Sequence, residues 1–225
     1  MGVTGGEDSI VQDGLVFSAD CLNSMSYPGT GTNWNSVVSN NNTGSMDSGV
    51  TFDGKHMNFA SDNATFNQTA SPITSNIMST EIWFYSDGGG HDAVVATRDQ
   101  NSSDGGIYMK HHADRIYVYN QNNQNTYTNQ IYLSNTWYHL VVTTSGSTYP
   151  DGIKIYQNGV NNIQGSDTLS SPWTSATTLP FSVGSEPDSG NSFEGSIDII
   201  RTYNRVLTQT EVLQNYNATK ERYGY

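Results

Sequence analysis

Cysteine is nearly missing from these 225 residues, and the 9 lysines and arginines are outnumbered by 21 aspartates and glutamates. With Cys21 alone, no intrachain disulfide can form, so stability must come from packing. The net charge of −12 opposes a nucleic-acid backbone or an anionic membrane as partner, because both would repel it within a Debye length. No apolar run approaches the length of a membrane span, and Met1 to Ser9 carry neither a basic stretch nor an apolar core. The expectation is a chain that is neither Sec-exported nor inserted in a membrane.

Catalytic signatures are also scarce. There is no G-x-S-x-G nucleophile elbow. A retaining glycosidase needs two carboxylates about 5 Å apart, which sheet enzymes place on one strand as E-x-D-x-E. The nearest candidate is Glu81, but Trp83 and Tyr85 stand where the partner acids would be. His111 and His112 are adjacent, so in a strand they point to opposite faces and chelate poorly. Asp99-Gln100-Asn101-Ser102-Ser103 starts like an EF-hand loop, but Asp104 stands where glycine is required. The sequence therefore predicts no enzyme. No repeat of 20 to 50 residues is present either, which excludes propellers and solenoids.

What is there is turn-forming polarity and aromatic rings. Charged residues make up only 13%, while 14 Tyr, 4 Trp and 22 Gly accompany abundant Asn, Ser and Thr. That mixture fits many short strands joined by turns. Glu81 to Tyr85 and Ala93 to Thr97 read as strands, and Gly106 to Lys110 with Arg115 to Tyr119 as a hairpin. In Arg115 to Tyr119, Ile116 and Val118 share one face and Tyr117 and Tyr119 the other, as in a sheet with one core side and one amphipathic side. Thr136 to Thr143 reads as a central strand covered on both faces, and Asn158-Gly159 as a type I′ hairpin turn. Trp83 and Trp137, in strong strands, are expected in the core, and His139 is expected to be packed. Residues 1–12 read as a flexible arm, and residues 13–225 as one domain.

Near the end, Thr208 and Glu211 form a capping box, with Leu207 and Val212 placed as a hydrophobic staple. A helix at about 208–218 follows, with Val212, Leu213 and Tyr216 as one apolar stripe that must dock on something else.

The block Gly195 to Thr208 resembles the closing G-x-I-D-x-x-R-x-Y-N-R-x-L-[ST] strand of the laminin-G-like, concanavalin A-like jelly-roll domains. Thr136-Trp137-Tyr138-His139 and Tyr156-Gln157-Asn158-Gly159 are similar to two further family blocks, and Gly14 to Phe17 with Val50 to Gly54 to its opening. The implied fold is an all-β, two-sheet antiparallel β-sandwich of the jelly-roll type with a short C-terminal α-helix. Ser26-Tyr27-Pro28-Gly29 and Asn215-Tyr216-Asn217-Ala218-Thr219-Lys220 resemble the form found in structural proteins of tailed phages. The resemblance implies a non-enzymatic virion module, as capsid decoration, tail or fibre protein, exposed on the particle. Its partners would be other virion proteins, copies of itself and cell-surface glycans. A free carbohydrate-binding lectin is the alternative, and a divergent glycoside hydrolase a third reading. The family also implies one structural Ca²⁺, with Asp198 as the strand ligand and Asp20 and Gly44 completing the site. For glycans, Trp34, Tyr127, Tyr132 and Trp173 lie in polar, turn-rich surroundings from which rings could stack on sugars.

Overall fold

The computed structural model describes residues 9–38, 43–60, 64–66, 75–86, 91–97, 106–112, 115–119, 124–129, 134–148, 152–167, 181–186 and 192–225. Among them the chain runs through β1 (Leu15–Asp20), β2 (Asn33–Asn35), β3 (Thr43–Met46), β4 (Thr51–Phe52), β5 (Met57–Ala60) and β6 (Ala64–Phe66). Then come β7 (Ile77–Ser86), β8 (His91–Ala96), β9 (Tyr108–His112), β10 (Arg115–Tyr119), β11 (Asn125–Thr128) and β12 (Thr136–Ser145). Last are β13 (Ile153–Gln157), β14 (Val160–Asn161), β15 (Ile163–Asp167), β16 (Phe181–Val183), β17 (Glu194–Tyr203) and the helix α1 (Gln209–Thr219). The strands pair into two sheets, ordered β14-β13-β12-β7-β17-β5-β4 and β15-β11-β10-β9-β8-β16-β6-β3-β2. In the first, β1 pairs with the second half of β17 while β5 pairs with its start.

Alternation along the strands builds the core. Phe17, Ile82, Phe84, Leu140, Val142, Ile155, Ile197 and Ile200 of the first sheet pack against Val94, Met109, Ile116, Val118, Phe181 and Val183 of the second. Phe17 meets Phe181 edge-on across the layers, with centroids 5.6 Å apart. As its alternation requires, β12 lies between β13 and β7. Asn158 and Gly159 take φ of 50° and 80° between β13 and β14, the two left-handed residues a type I′ turn needs.

The intervening residues of the first sheet face outward and carry a second cluster: Val141, Tyr156, Tyr203, Leu207, Val212 and Val11. Helix α1 seals this cluster. Leu207 and Val212 are both buried, and Glu211 N–H donates to Thr208 Oγ1 while Thr208 N–H donates to the Glu211 carboxylate. Arg205 grips the same carboxylate with two nitrogens, at 3.0 and 2.6 Å, and holds it down at about 2. Thr208→Ala removes one half of the reciprocal cap and should cost about 1 kcal/mol. Thermal denaturation should show a drop of roughly 2–4 °C for a domain of this size; an unchanged midpoint would mean the cap contributes nothing.

Three expectations need correction. Leu213 is exposed, and the helix buries Asn215 instead, because a polar cluster lies beneath it. Trp83 is buried, yet on the outer face of β7 beneath the C-terminal residues rather than between the sheets, and Trp137 is half-buried on that same face. Of the arm, residues 1–8 lie outside the described residues, and Val11 is buried with its N–H donated to Asn215 Oδ1.

Beneath α1, Glu81 is fully buried. Its Oε1 receives Arg201 Nη1 at 2.5 Å and lies 3.2 Å from His139 Nε2. Its other oxygen receives Asn215 Nδ2 at 2.6 Å, and the same amide donates to Tyr203 Oη at 2.9 Å. Burial alone would raise the Glu81 carboxyl, but Arg201 and then His139 outweigh it and hold it at about 2. His139 is packed, as its place in a central strand requires.

Candidate functional site: the tyrosine face of the second sheet

The outer face of the second sheet has no helix over it among the described residues, and its side chains follow from simple alternation. Met109, Ile116 and Val118 point into the core, so Tyr108, Lys110 and His112 of β9 and Arg115, Tyr117 and Tyr119 of β10 lie on the opposite face, where Tyr108 and Lys110 are buried and the other four are half-buried. On β11, Thr126 and Thr128 are buried while Tyr127 is half-buried. Register then aligns the outward residues in rows: Tyr108, Tyr119 and Asn125 in one, and Lys110, Tyr117 and Tyr127 in the next.

The rings form a continuous platform. Tyr117 lies 6.2 Å from Tyr119, nearly parallel at 26°, and 5.5 Å from Tyr127. Tyr108, itself fully buried, supports the row from 5.4 Å behind Tyr119 and hydrogen-bonds the buried Glu186 through its hydroxyl. Polar groups are interleaved: the Arg115 guanidinium sits 5.3 Å from the Tyr127 centroid, and the His112 ring meets Tyr117 edge-on at 5.7 Å. Half-exposed rings flanked by hydrogen-bonding side chains can stack on the apolar faces of sugars and read their hydroxyls.

Of the four aromatics expected to meet sugars, Tyr127 is found on this platform. Trp34 is fully buried in the core cluster, because β2 turns Asn33 and Asn35 outward and the ring between them inward. Tyr132 and Trp173 lie outside the described residues. Tyr108, Tyr117, Tyr119, Lys110, Arg115, His112 and Glu186 went unassigned in the sequence. The signal that could have found the β10 pair was the alternation of Tyr117 and Tyr119 opposite Ile116 and Val118.

The residues expected to hold Ca²⁺ are elsewhere. Asp198 is fully buried at a bulge in β17, the extra residue between Ile197 and Ile199, which re-aims its side chain. Its Oδ1 accepts from Met57 N–H at 3.0 Å, and its Oδ2 lies 2.7 Å from His56 Nδ1 and 3.5 Å from Arg222 Nη2. Asp20 Oδ1 receives Arg222 Nη1 at 2.7 Å and Leu22 N–H at 2.9 Å. Thus Asp20 and Asp198 come together around a guanidinium, while Gly44 lies in the other sheet, paired with Trp34 and Phe66. Arg222 Nη2 also contacts Cys21 Sγ at 3.2 Å. Ca²⁺ requires six to eight oxygen ligands. A pocket already filled by a guanidinium, with an imidazole and a thiol beside it, does not fit that ion.

A family described as the concanavalin A-like lectin/glucanases superfamily matches residues 58–213. Among solved structures, the chain is similar to domain 4 of AbnA, a GH43 extracellular arabinanase from Geobacillus stearothermophilus, in complex with arabinotriose. The identity is 16% and the TM-score 0.62, over 90% of this chain and 98% of that one. It is also similar to Trypanosoma rangeli sialidase, at 14% identity and a TM-score of 0.63, over 94% of this chain and 34% of that one. The binding domain of Paraclostridial Mosquitocidal Protein 1 is similar at 15% identity and a TM-score of 0.65, over 91% of this chain and 52% of that one. The chain thus spans about a third and about half of those two structures, and at these identities the likeness is one of fold. No curated protein matches the sequence. Since the matched span covers well over half of its length, the chain belongs to the concanavalin A-like lectin/glucanase superfamily.

Proposed function

We propose that this protein is a non-catalytic glycan-binding module whose binding surface is the tyrosine face of the second sheet. The observation that carries the reading is the platform of Tyr117, Tyr119 and Tyr127, with Arg115 and His112 beside it. Stacking supplies affinity and the flanking polar groups supply orientation. Similarity to an arabinanase domain solved with arabinotriose supports a sugar ligand. The non-catalytic part of the reading is supported by Glu81, the one acid that stood near a glycosidase pattern. It faces away from the platform, sealed under α1 and neutralised by Arg201. A glycan array probed with the intact chain should return hits that Tyr117→Ala removes; retained hits would place binding elsewhere.

The setting we propose is the surface of a tailed-phage virion, as a capsid decoration, tail or fibre protein. Support comes from the phage-like blocks Ser26 to Gly29 and Asn215 to Lys220. There the partners are other virion proteins and further copies of the chain. Mass spectrometry of purified particles should detect it. Array hits from a chain absent from particles would favour a free lectin instead.

A further inference from the structure

The contacts around Asp198 carry more than a failed fit to Ca²⁺. Three side chains from two distant segments converge on one guanidinium: Asp20 at the end of β1 with Cys21 just beyond it, and Asp198 at the bulge of β17. The backbone ties the same segments together, since Cys21 N–H donates to the Asp198 carbonyl at 3.0 Å. Arg222 is held in place from outside. Its neighbour Tyr223 stacks on Trp83 at 4.0 Å and 17° and leans on Trp137 at 4.6 Å, and the guanidinium lies 5.3 Å from the Tyr223 centroid. Trp137 in turn packs on His56, the other partner of Asp198.

Without a cation this arrangement would be costly. Asp198 is fully buried, and its polar partners are His56, the Met57 N–H and Arg222. Two carboxylates, Asp198 and Asp20, are set against one guanidinium. Among the described residues, the positive group that touches both is Arg222.

We propose that Arg222 is a tethered structural cation, which balances Asp198 and Asp20 from within the chain and makes this end of the sandwich independent of any metal ion. A side chain in this role lets the C-terminal residues clamp β1, β5 and β17 together at the point where β17 bulges. Charge, rather than bulk, is the property the position requires.

The test is thermal denaturation of the intact protein and of two variants. Wild type should melt at the same temperature with EDTA, without additions and with millimolar Ca²⁺, because a ligand of the native state would raise its stability. Arg222→Gln keeps much of the length and removes the charge, and should lower the midpoint by roughly 10 °C. Arg222→Lys keeps the charge and should recover a large part of that loss. A wild-type midpoint that falls in EDTA and returns with Ca²⁺ would overturn the proposal, as would an Arg222→Gln variant that melts with wild type. Equal losses in the Lys and Gln variants would assign the position to packing and overturn it too. Should Arg222→Gln fail to fold, the EDTA and Ca²⁺ arms on wild type still decide.

Discussion

Glu81→Gln should lower the melting temperature by roughly 10 °C at neutral pH. The carboxylate is completely buried and balances Arg201, itself nearly buried, across 2.5 Å. Removing one partner of such a pair leaves the other charge stranded, at a cost of about 3–5 kcal/mol. The neutral amide keeps the volume, so the loss reports charge and not a cavity. The pH dependence gives an independent check. The folded-state value of Glu81 is about 2, below its ordinary 4.5, so its contribution is fully present above pH 4.5 and is lost as pH falls toward 2. Wild type and variant should therefore differ most at neutral pH and converge in acid. A difference that stays constant from pH 7 to pH 3 would show that ionisation of Glu81 contributes nothing.

Tyr117→Ala should abolish glycan binding while leaving the fold intact. Tyr117 is the ring that touches both Tyr119 and Tyr127, so its loss splits the platform. Truncating a central aromatic contact costs about 2 kcal/mol or more of binding energy, a loss of about 30-fold in affinity. The ring is only half-buried, and the midpoint should fall by no more than a few degrees, consistent with about 1 kcal/mol for an ordinary substitution. Calorimetric titration with an array hit, alongside thermal denaturation, separates the two effects. Unchanged affinity in Tyr117→Ala and in Tyr127→Ala would remove this face from consideration.

The capping box, the Asn158-Gly159 turn and the alternation in β10 were legible because each is encoded by residues close together in sequence. Which of the aromatics outside the strong strands face outward was not, and Trp34 shows why. Its neighbours Asn33 and Asn35 are polar, which suggested a wet environment, but in a strand the residues on either side report the opposite face. Tyr127 illustrates the same rule in reverse: buried Thr126 and Thr128 flank an outward ring. Asp198 was legible as a residue with a role, since its carboxylate stands in a recognisable block. Its partner was not, because Arg222 follows the helix in a segment with no periodicity or motif of its own. Periodicity likewise says that Glu81, Trp83 and Trp137 share a face, but cannot say that α1 and the residues after it will cover that face.

The C-terminal clamp also sets an order of events during synthesis. Val11 reaches Asn215, and Asp20 reaches Arg222, across sequence separations of 204 and 202 residues. Contacts so distant in the chain delay folding, since the loop must close before they reward it. Until Arg222 and Tyr223 leave the ribosome, Asp198 lacks its guanidinium and Trp83 the ring stacked on it. Nascent chains stalled before Arg222 emerges should be more protease-sensitive than chains stalled once Tyr225 has emerged.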